Sequence, residues 1–90
     1  MKYKVSIKKG VKPAKLPKLE QETLLALIED LKANGPVQTG WRNFSKLATR
    51  KDSVDYHCHL TYHWVACWTH FKDTIEIEVY YAGSREKAPY

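Results

Sequence analysis

The chain lacks the features that mark several large classes of protein. It has two cysteines, Cys58 and Cys67, and no apolar run near the ~20 residues that a membrane-spanning helix requires. Its first residues, Met1 to Val5, contain no apolar stretch of the kind found in secretory signals. We therefore expect a cytoplasmic protein without a membrane anchor, in which both thiols stay reduced and buried rather than joined in a disulfide.

Acidic residues are missing from the first nineteen positions, where seven lysines occur, at positions 2, 4, 8, 9, 12, 15 and 18. The whole chain carries a net charge of +5 and has a pI near 9.3. A cluster of this kind favours a polyanion or an acidic protein as partner. The alternative is a solvated basic surface that serves solubility, and the charge pattern leaves both interpretations open.

A length of 90 residues is short for two hydrophobic cores, so we predict one domain that occupies residues 1–90. Chains of this size bury only about 60–65% of their unfolded surface, which suits one thin sheet covered by one or two helices. The composition, 43% hydrophobic and 28% charged, is that of an ordinary globular protein.

Alternation at the start of the chain predicts a strand. Tyr3, Val5 and Ile7 fall on one face of this segment, and the opposite face is mostly lysine. Beyond the strand, Pro13 and Pro17 can each begin a helix, since proline suits the first helical position. The sequence leaves open whether a short helix forms between the two prolines.

A long helix is predicted from Pro17 to Ala33. Its apolar stripe has the period of an α-helix and consists of Leu24, Leu27, Ile28 and Leu31. The segment Asn34–Pro36 ends the helix, because glycine or asparagine adopts the left-handed cap and proline prevents continuation. The stripe is too short for a coiled coil, so we expect it to pack on a sheet.

The second half of the chain predicts four strands, at residues 42–47, Tyr56–Leu60, Trp64–Trp68 and Thr74–Tyr81. Runs rich in β-branched and aromatic residues, separated by turn residues, are typical of adjacent strands. The order β-(α)-α-β-β-β-β predicts an α+β fold. In this fold a small, largely antiparallel sheet of four to five strands packs against the long helix and, if it forms, the short N-terminal one.

Three segments resemble the RelE/ParE toxin superfamily: Phe44–Arg50, Asp55–Leu60 and Ala82–Lys87. The resemblance implies a small bacterial toxin of a type II toxin–antitoxin system, held inactive by an antitoxin encoded beside it. RelE-like members cut mRNA on the ribosome, whereas ParE-like members poison gyrase. One departure concerns the chemistry, since the segment His63–Ala66 has no arginine where RelE-like enzymes usually carry one.

Two histidines form the candidate catalytic pair. Because side chains alternate along a strand, His57 and His59 face the same side, about 7 Å apart by strand rise. RNA cleavage without a metal requires a base for the 2′-hydroxyl, cations for the charged phosphorane and an acid for the leaving oxygen. Histidine suits the first and last tasks because its pKa of about 6.5 lies close to working pH.

The remaining site residues follow from the resemblance and from the expected hairpin. Arg85 resembles the family's catalytic arginine, and Tyr90 resembles the C-terminal aromatic residue that some members use in the site. Four further residues are predicted to bind RNA: Lys46, Arg50, Trp64 and Trp68. The two cations would guide the backbone, and a tight turn would place both tryptophans on the histidine side as platforms for bases. We expect the imidazoles and the guanidinium to converge on one exposed side of the sheet.

A metal site is not predicted. His57 and His59 supply two ligands on one face and His63 can add a third, but the chain has no recognised zinc spacing. Cys58 points to the other side of its strand. We therefore expect no metal and no cofactor.

The leading hypothesis is an mRNA-cleaving, ribosome-associated endoribonuclease toxin that uses acid–base chemistry. The alternatives are a non-catalytic binding toxin of the ParE type, which inhibits gyrase, and an inactive relic that only binds the antitoxin. The predicted partners are a cognate antitoxin protein, mRNA and the ribosome.

Overall fold

The structure, a computed structural model, describes residues 2–90; Met1 of the predicted domain lies outside the described residues. Within that range it has one α-helix, α1 (Lys18–Asn34), and five strands: β1 (Lys4–Ile7), β2 (Ser45–Thr49), β3 (Ser53–His59), β4 (Trp64–Phe71) and β5 (Glu76–Ser84). Two single turns of 3₁₀ helix flank these elements, at Pro13–Lys15 and Arg85–Lys87.

The strands form one sheet in the order β1-β5-β4-β3-β2. Neighbours from β5 to β2 are antiparallel, as consecutive strands joined by short turns are expected to be. Strand β1 instead runs parallel to β5, with Lys4 opposite Glu76 and Ile7 opposite Val79. The predicted α+β class is confirmed, and the sheet is mixed because the first strand of the chain joins the last.

Helix α1 ends where the sequence predicts, and the reason is Gly35. The residue has φ of 92° and donates its backbone N–H to the carbonyl of Leu31 at 2.9 Å. A Cβ added there would also lie 2.9 Å from the ring of Tyr3, at the start of the sheet. The positive φ favours glycine here, and the ring of Tyr3 packs in the space that a side chain would occupy.

The core lies between α1 and one face of the sheet. Its buried members are Leu16, Leu24, Leu27, Ile28, Leu31, Cys58, Leu60, Ala66, Trp68, Ile77 and Val79. Trp68 is fully buried, and its indole N–H donates to the carbonyl of Pro36 at 3.0 Å. Phe44 and Tyr56 stack beside it, so three aromatic rings fill the end of the core beneath β2 and β3.

The first strand after the helix begins later than the sequence predicts. The expected range was 42–47, and β2 spans Ser45–Thr49. The preceding residues form a turn instead, because Asn43 has φ of 53° and Phe44 donates its N–H to the carbonyl of Trp41. Asparagine tolerates this left-handed conformation, which an extended strand excludes.

Both cysteines are free and buried, and they lie on opposite faces of the sheet. Cys58 pairs with Ala66 on the core side, whereas Cys67 lies opposite His57. Burial raises the pKa of each thiol to about 12, so both stay protonated and unreactive near neutral pH. Among residues 2–90, α1 is neither long enough nor apolar enough to cross a membrane.

Candidate functional site

The candidate site lies on the face of the sheet that points away from α1, which we call the outer face. Its central side chains come from β3 and β4: Asp55, His57, His59, Val65, Cys67 and Thr69. The pairing of β3 with β4 fixes this set, because His57 lies opposite Cys67 and His59 opposite Val65. Polar and titratable groups therefore share one face, while the apolar core occupies the other.

His57 and His59 are neighbours on the outer face, as their spacing predicts. Their ring centroids are 5.9 Å apart. The prediction that they are exposed is wrong, since only 8% of His57 and 6% of His59 is accessible. Part of the cover comes from Tyr90, whose ring centroid lies 4.4 Å from that of His57. The imidazoles are thus covered from the outside and remain apart from the core beneath α1.

The ring nitrogens of the two histidines have different environments. Nδ1 of His57 lies 3.0 Å from the hydroxyl oxygen of Ser45 on β2. Nδ1 of His59 is buried and has no hydrogen-bond partner among residues 2–90. Burial, followed by the charge of His59, lowers the pKa of His57, and the hydrogen bond with Ser45 opposes this shift. A neutral His57 at working pH is therefore favoured, with one nitrogen free to accept a proton.

Tyr90 places a phenol ring against His57. Burial is the largest effect on its pKa and raises it, while the charge of Arg85 opposes the rise. The phenol therefore stays protonated at neutral pH and can donate a hydrogen bond. Just over half of its side chain is exposed, so the ring both covers His57 and reaches solvent.

Arg85 lies at the end of β5, against the β3–β4 turn. Its backbone N–H donates to the carbonyl of His63 at 2.8 Å, and its guanidinium carbon lies 5.6 Å from the ring centre of Tyr62. Gly83, two residues before Arg85, pairs with Val65, and Val65 pairs with His59. The three residues therefore form one row across the sheet. The backbone of Arg85 therefore lies beyond the row of His59, next to the β3–β4 turn, and its guanidinium makes a cation–π contact with Tyr62.

Two of the predicted RNA-binding residues lie on the other side of the sheet. Trp64 and Trp68 pack with the core cluster, so the prediction that they share the face of the histidines is wrong. The reason is the hairpin register, which sets Cys67 opposite His57. Lys46 is exposed, but it pairs with Tyr56 and so also lies on the face opposite His57. None of the three joins the site.

Arg50 extends the outer face toward the far end of β3. Its Nη2 and Nε atoms donate to Oδ2 of Asp55 at 2.7 and 3.1 Å. The carboxylate of Asp55 is buried, and it raises the pKa of Arg50. Asp55 precedes His57 by two residues, which corresponds to about 7 Å along the strand. The cation is thus held in a fixed position on the same face as the histidines.

Two residues of the site escaped the sequence analysis. Ser45 reaches His57 from a neighbouring strand, and only the register of β2 against β3 reveals this contact. Tyr62 lies in the hairpin turn and holds Arg85 from a position 23 residues earlier in the chain. Neither belongs to a motif with a recognisable spacing, so no local signal identifies them. Among residues 2–90, no three histidine, cysteine or acidic side chains are grouped to hold a metal ion.

Comparison with known proteins gives one informative match. No family model matches the chain, and no curated protein matches it by sequence. In shape it is similar to a chain of the crystal structure of the archaeal RelE–RelB complex from Pyrococcus horikoshii OT3, with a TM-score of 0.81. The match covers 98% of this chain and 100% of the other, at 21% sequence identity. The chain therefore has the α+β fold of RelE.

Proposed function

We propose that this chain is the toxin of a toxin–antitoxin system and that it cleaves RNA without a metal. The observation that carries the proposal is the group formed by His57, His59 and Tyr90, with a buried and unpartnered Nδ1 on His59. An unpaired buried nitrogen costs about 1–3 kcal/mol of desolvation, so a ligand that pairs with it would recover part of this cost. The RelE fold and the basic surface support a nucleic acid as the ligand.

The chemistry needs one proton acceptor and one proton donor on opposite sides of a phosphate. In our proposal a neutral imidazole takes the proton of the ribose 2′-hydroxyl, whose oxygen then attacks the phosphorus. The bond from phosphorus to the 5′-oxygen breaks, and Tyr90 or the second imidazole protonates the departing oxygen. The products are a 2′,3′-cyclic phosphate and a 5′-hydroxyl. Arg85 stabilises the phosphorane charge once substrate draws it from Tyr62.

A protein partner is part of the same proposal. The similar chain was crystallised in a RelE–RelB complex, and we infer that this chain also binds an antitoxin. Exposed apolar side chains on and beside α1, at Leu19, Leu25 and Val37, offer contact area for such a partner. Co-purification with the product of a neighbouring small reading frame is the expected result. An antitoxin that restores growth without binding this chain would contradict the inference.

The test is growth arrest on induction, combined with primer extension on mRNA from the induced cells. Induction of the parent chain is expected to stop growth and to produce new 5′ ends in transcripts. His57→Ala and His59→Ala should each reduce cleavage by about 10²–10⁴-fold, the usual contribution of a general acid or base. His63→Ala is the matched control, because His63 lies in the same hairpin but is exposed and away from the pair.

A second candidate function is a toxin that binds its target without chemistry. The observation in its favour is the burial of both imidazoles, which leaves little of either ring accessible to a substrate. A binding toxin of this kind would arrest growth while transcripts stay intact, and DNA breaks would indicate gyrase as the target. If His57→Ala and His59→Ala together leave toxicity unchanged, the nuclease proposal is wrong and this candidate takes its place.

A further inference from the structure

An open cleft of about 420 Å³ lies beside β5, at the edge of the sheet where β1 ends. Four lysines line it, Lys8, Lys9, Lys12 and Lys15, together with Val11, Tyr80, Tyr81 and Ala82. All four lysines are exposed, and within residues 2–90 none of them forms an ion pair with a carboxylate. The cleft is therefore a concentrated site of positive charge that no acidic group of the described chain neutralises.

The backbone that carries these lysines has a defined path. Lys8 donates its N–H to the carbonyl of Val79, and Val11 donates to the carbonyl of Lys8. Lys15 donates to the carbonyl of Lys12 within the 3₁₀ turn, which Pro13 begins. One of these hydrogen bonds joins the segment to β5 and the other two close turns within it, so the backbone that carries the lysines is ordered before any ligand binds. Such preorganisation reduces the entropy lost on binding.

The cleft lies two strands away from His57 across the sheet. His57 lies opposite Cys67, and Cys67 lies opposite Tyr81, which lines the cleft. Neighbouring strands are about 4.8 Å apart, so the row from His57 to Tyr81 is about 10 Å long. A strand of nucleic acid that places one phosphate at the histidines can therefore place a nearby phosphate among the lysines.

We propose that this cleft is a phosphate-binding subsite for single-stranded RNA, separate from the catalytic group. The inference rests on the proposed function, since it assigns the same ligand class to both places. An acidic protein is the less favoured occupant, because lysine is depleted in the centres of protein interfaces and four lysines line this cleft. Lysine is instead a common phosphate ligand, and it positions the strand without reading its sequence.

The experiment measures binding of a fluorescein-labelled 2′-O-methyl oligouridylate, about 12 nucleotides long, which is within the range of single-strand site sizes. The 2′-O-methyl group removes the nucleophile, so binding is measured without cleavage. Lys9, Lys12 and Lys15 are changed together to glutamine. The control changes Lys2, Lys32 and Lys51 together, three exposed lysines that do not line the cleft.

Loss of three phosphate contacts is expected to make the log–log salt slope shallower by about 2 and to weaken binding about 100-fold near 0.1 M salt. The control variant should keep the parent slope, and both variants should keep the parent circular dichroism spectrum and melting temperature. The proposal is overturned if the two variants weaken equally, which would indicate a general charge effect. A cleft variant with the parent slope overturns it as well.

A parallel arm uses a fluorescein-labelled oligoglutamate of the same length. If the variant with Lys9, Lys12 and Lys15 changed loses oligoglutamate binding but still binds RNA like the parent, the cleft would be assigned to an acidic protein. That result would overturn the RNA proposal. Cleavage of unmodified RNA is measured separately in the parent and in His57→Ala. If the parent never cleaves RNA and the slopes still differ as expected, the nuclease proposal fails while the phosphate subsite stands.

Discussion

The two faces of the sheet bury very different chemistry. On the side of α1 the buried cluster consists of apolar side chains, and the indole N–H of its Trp68 is paired with the carbonyl of Pro36. On the outer face the buried groups include His57, His59, Asp55 and Thr69. The cover over the histidines includes the ring of Tyr90, at the end of the chain.

The difference indicates which face provides stability and which provides chemistry. Burial of apolar surface stabilises a fold by about 25 cal/mol per Å², whereas burial of an unpaired polar atom opposes it. A chain under selection for stability alone has no reason to keep an imidazole with an unpartnered nitrogen. Variants of each face should therefore give opposite results, and four predictions follow from the largest expected effect to the smallest.

The largest effect is expected from Trp68→Ala, on the side of α1. Removal of a fully buried indole should lower the free energy of unfolding by about 3–5 kcal/mol, because it leaves a cavity and removes the contacts with Phe44 and Tyr56. Urea denaturation measures the change. Tyr62→Ala, at an exposed position, should stay within about 0.5 kcal/mol of the parent. A loss below about 1 kcal/mol for the tryptophan variant would contradict this account of the core.

The second prediction has the opposite sign. His59→Phe should raise the free energy of unfolding by about 1 kcal/mol, because it removes a buried nitrogen that lacks a partner. The same change should abolish RNA cleavage if the proposed chemistry is right. His57→Phe is the control, and no gain is expected, since the Nδ1 that it removes already has a partner in the hydroxyl of Ser45. A destabilised His59→Phe variant would show that the imidazole contributes to the fold.

The third prediction concerns pH. Burial and the charge of His59 hold the folded-state pKa of His57 below its unfolded value of about 6.5. Between these two pKa values the unfolded chain binds more protons. The contribution of His57 to stability is therefore complete above the unfolded pKa and is lost as the pH falls through the folded pKa. Thermal unfolding measured across this pH window should show a melting temperature that falls as the pH falls. His57→Gln should make the melting temperature less dependent on pH. The exposed His63→Gln variant should follow the parent curve.

The smallest change in stability is expected from Tyr90→Ala. The side chain is 54% exposed, so the free energy of unfolding should change by less than about 0.5 kcal/mol. Its loss uncovers His57, and the pKa of that imidazole should rise toward its ordinary value as solvent returns. Titration of the ring proton by NMR measures this shift. Lys87→Ala, in the same exposed segment, should leave the titration unchanged. An unshifted His57 in Tyr90→Ala would mean that another group buries it.

Local patterns were enough to predict the helix and the pairing of the two histidines on one face. The sequence predicts a helix at Pro17–Ala33, and α1 spans Lys18–Asn34. This agreement is possible because the apolar stripe and the C-terminal cap are both set by residues close together in the sequence. The positions of Trp64 and Trp68 were missed because a shift of one residue in the hairpin register moves a side chain to the other face. The contact of Tyr90 with His57 was expected only from the resemblance, since 33 residues separate the two in the chain.

The parallel pairing of β1 with β5 has a consequence for how the protein is made. Lys4 lies opposite Glu76, so β1, the first strand to be synthesised, can pair with β5 only after most of the chain has been made. Until then β1 has no strand to pair with. Contacts between residues so far apart in the sequence form slowly. A chain whose synthesis stops before β5 therefore has neither a finished sheet nor Tyr90.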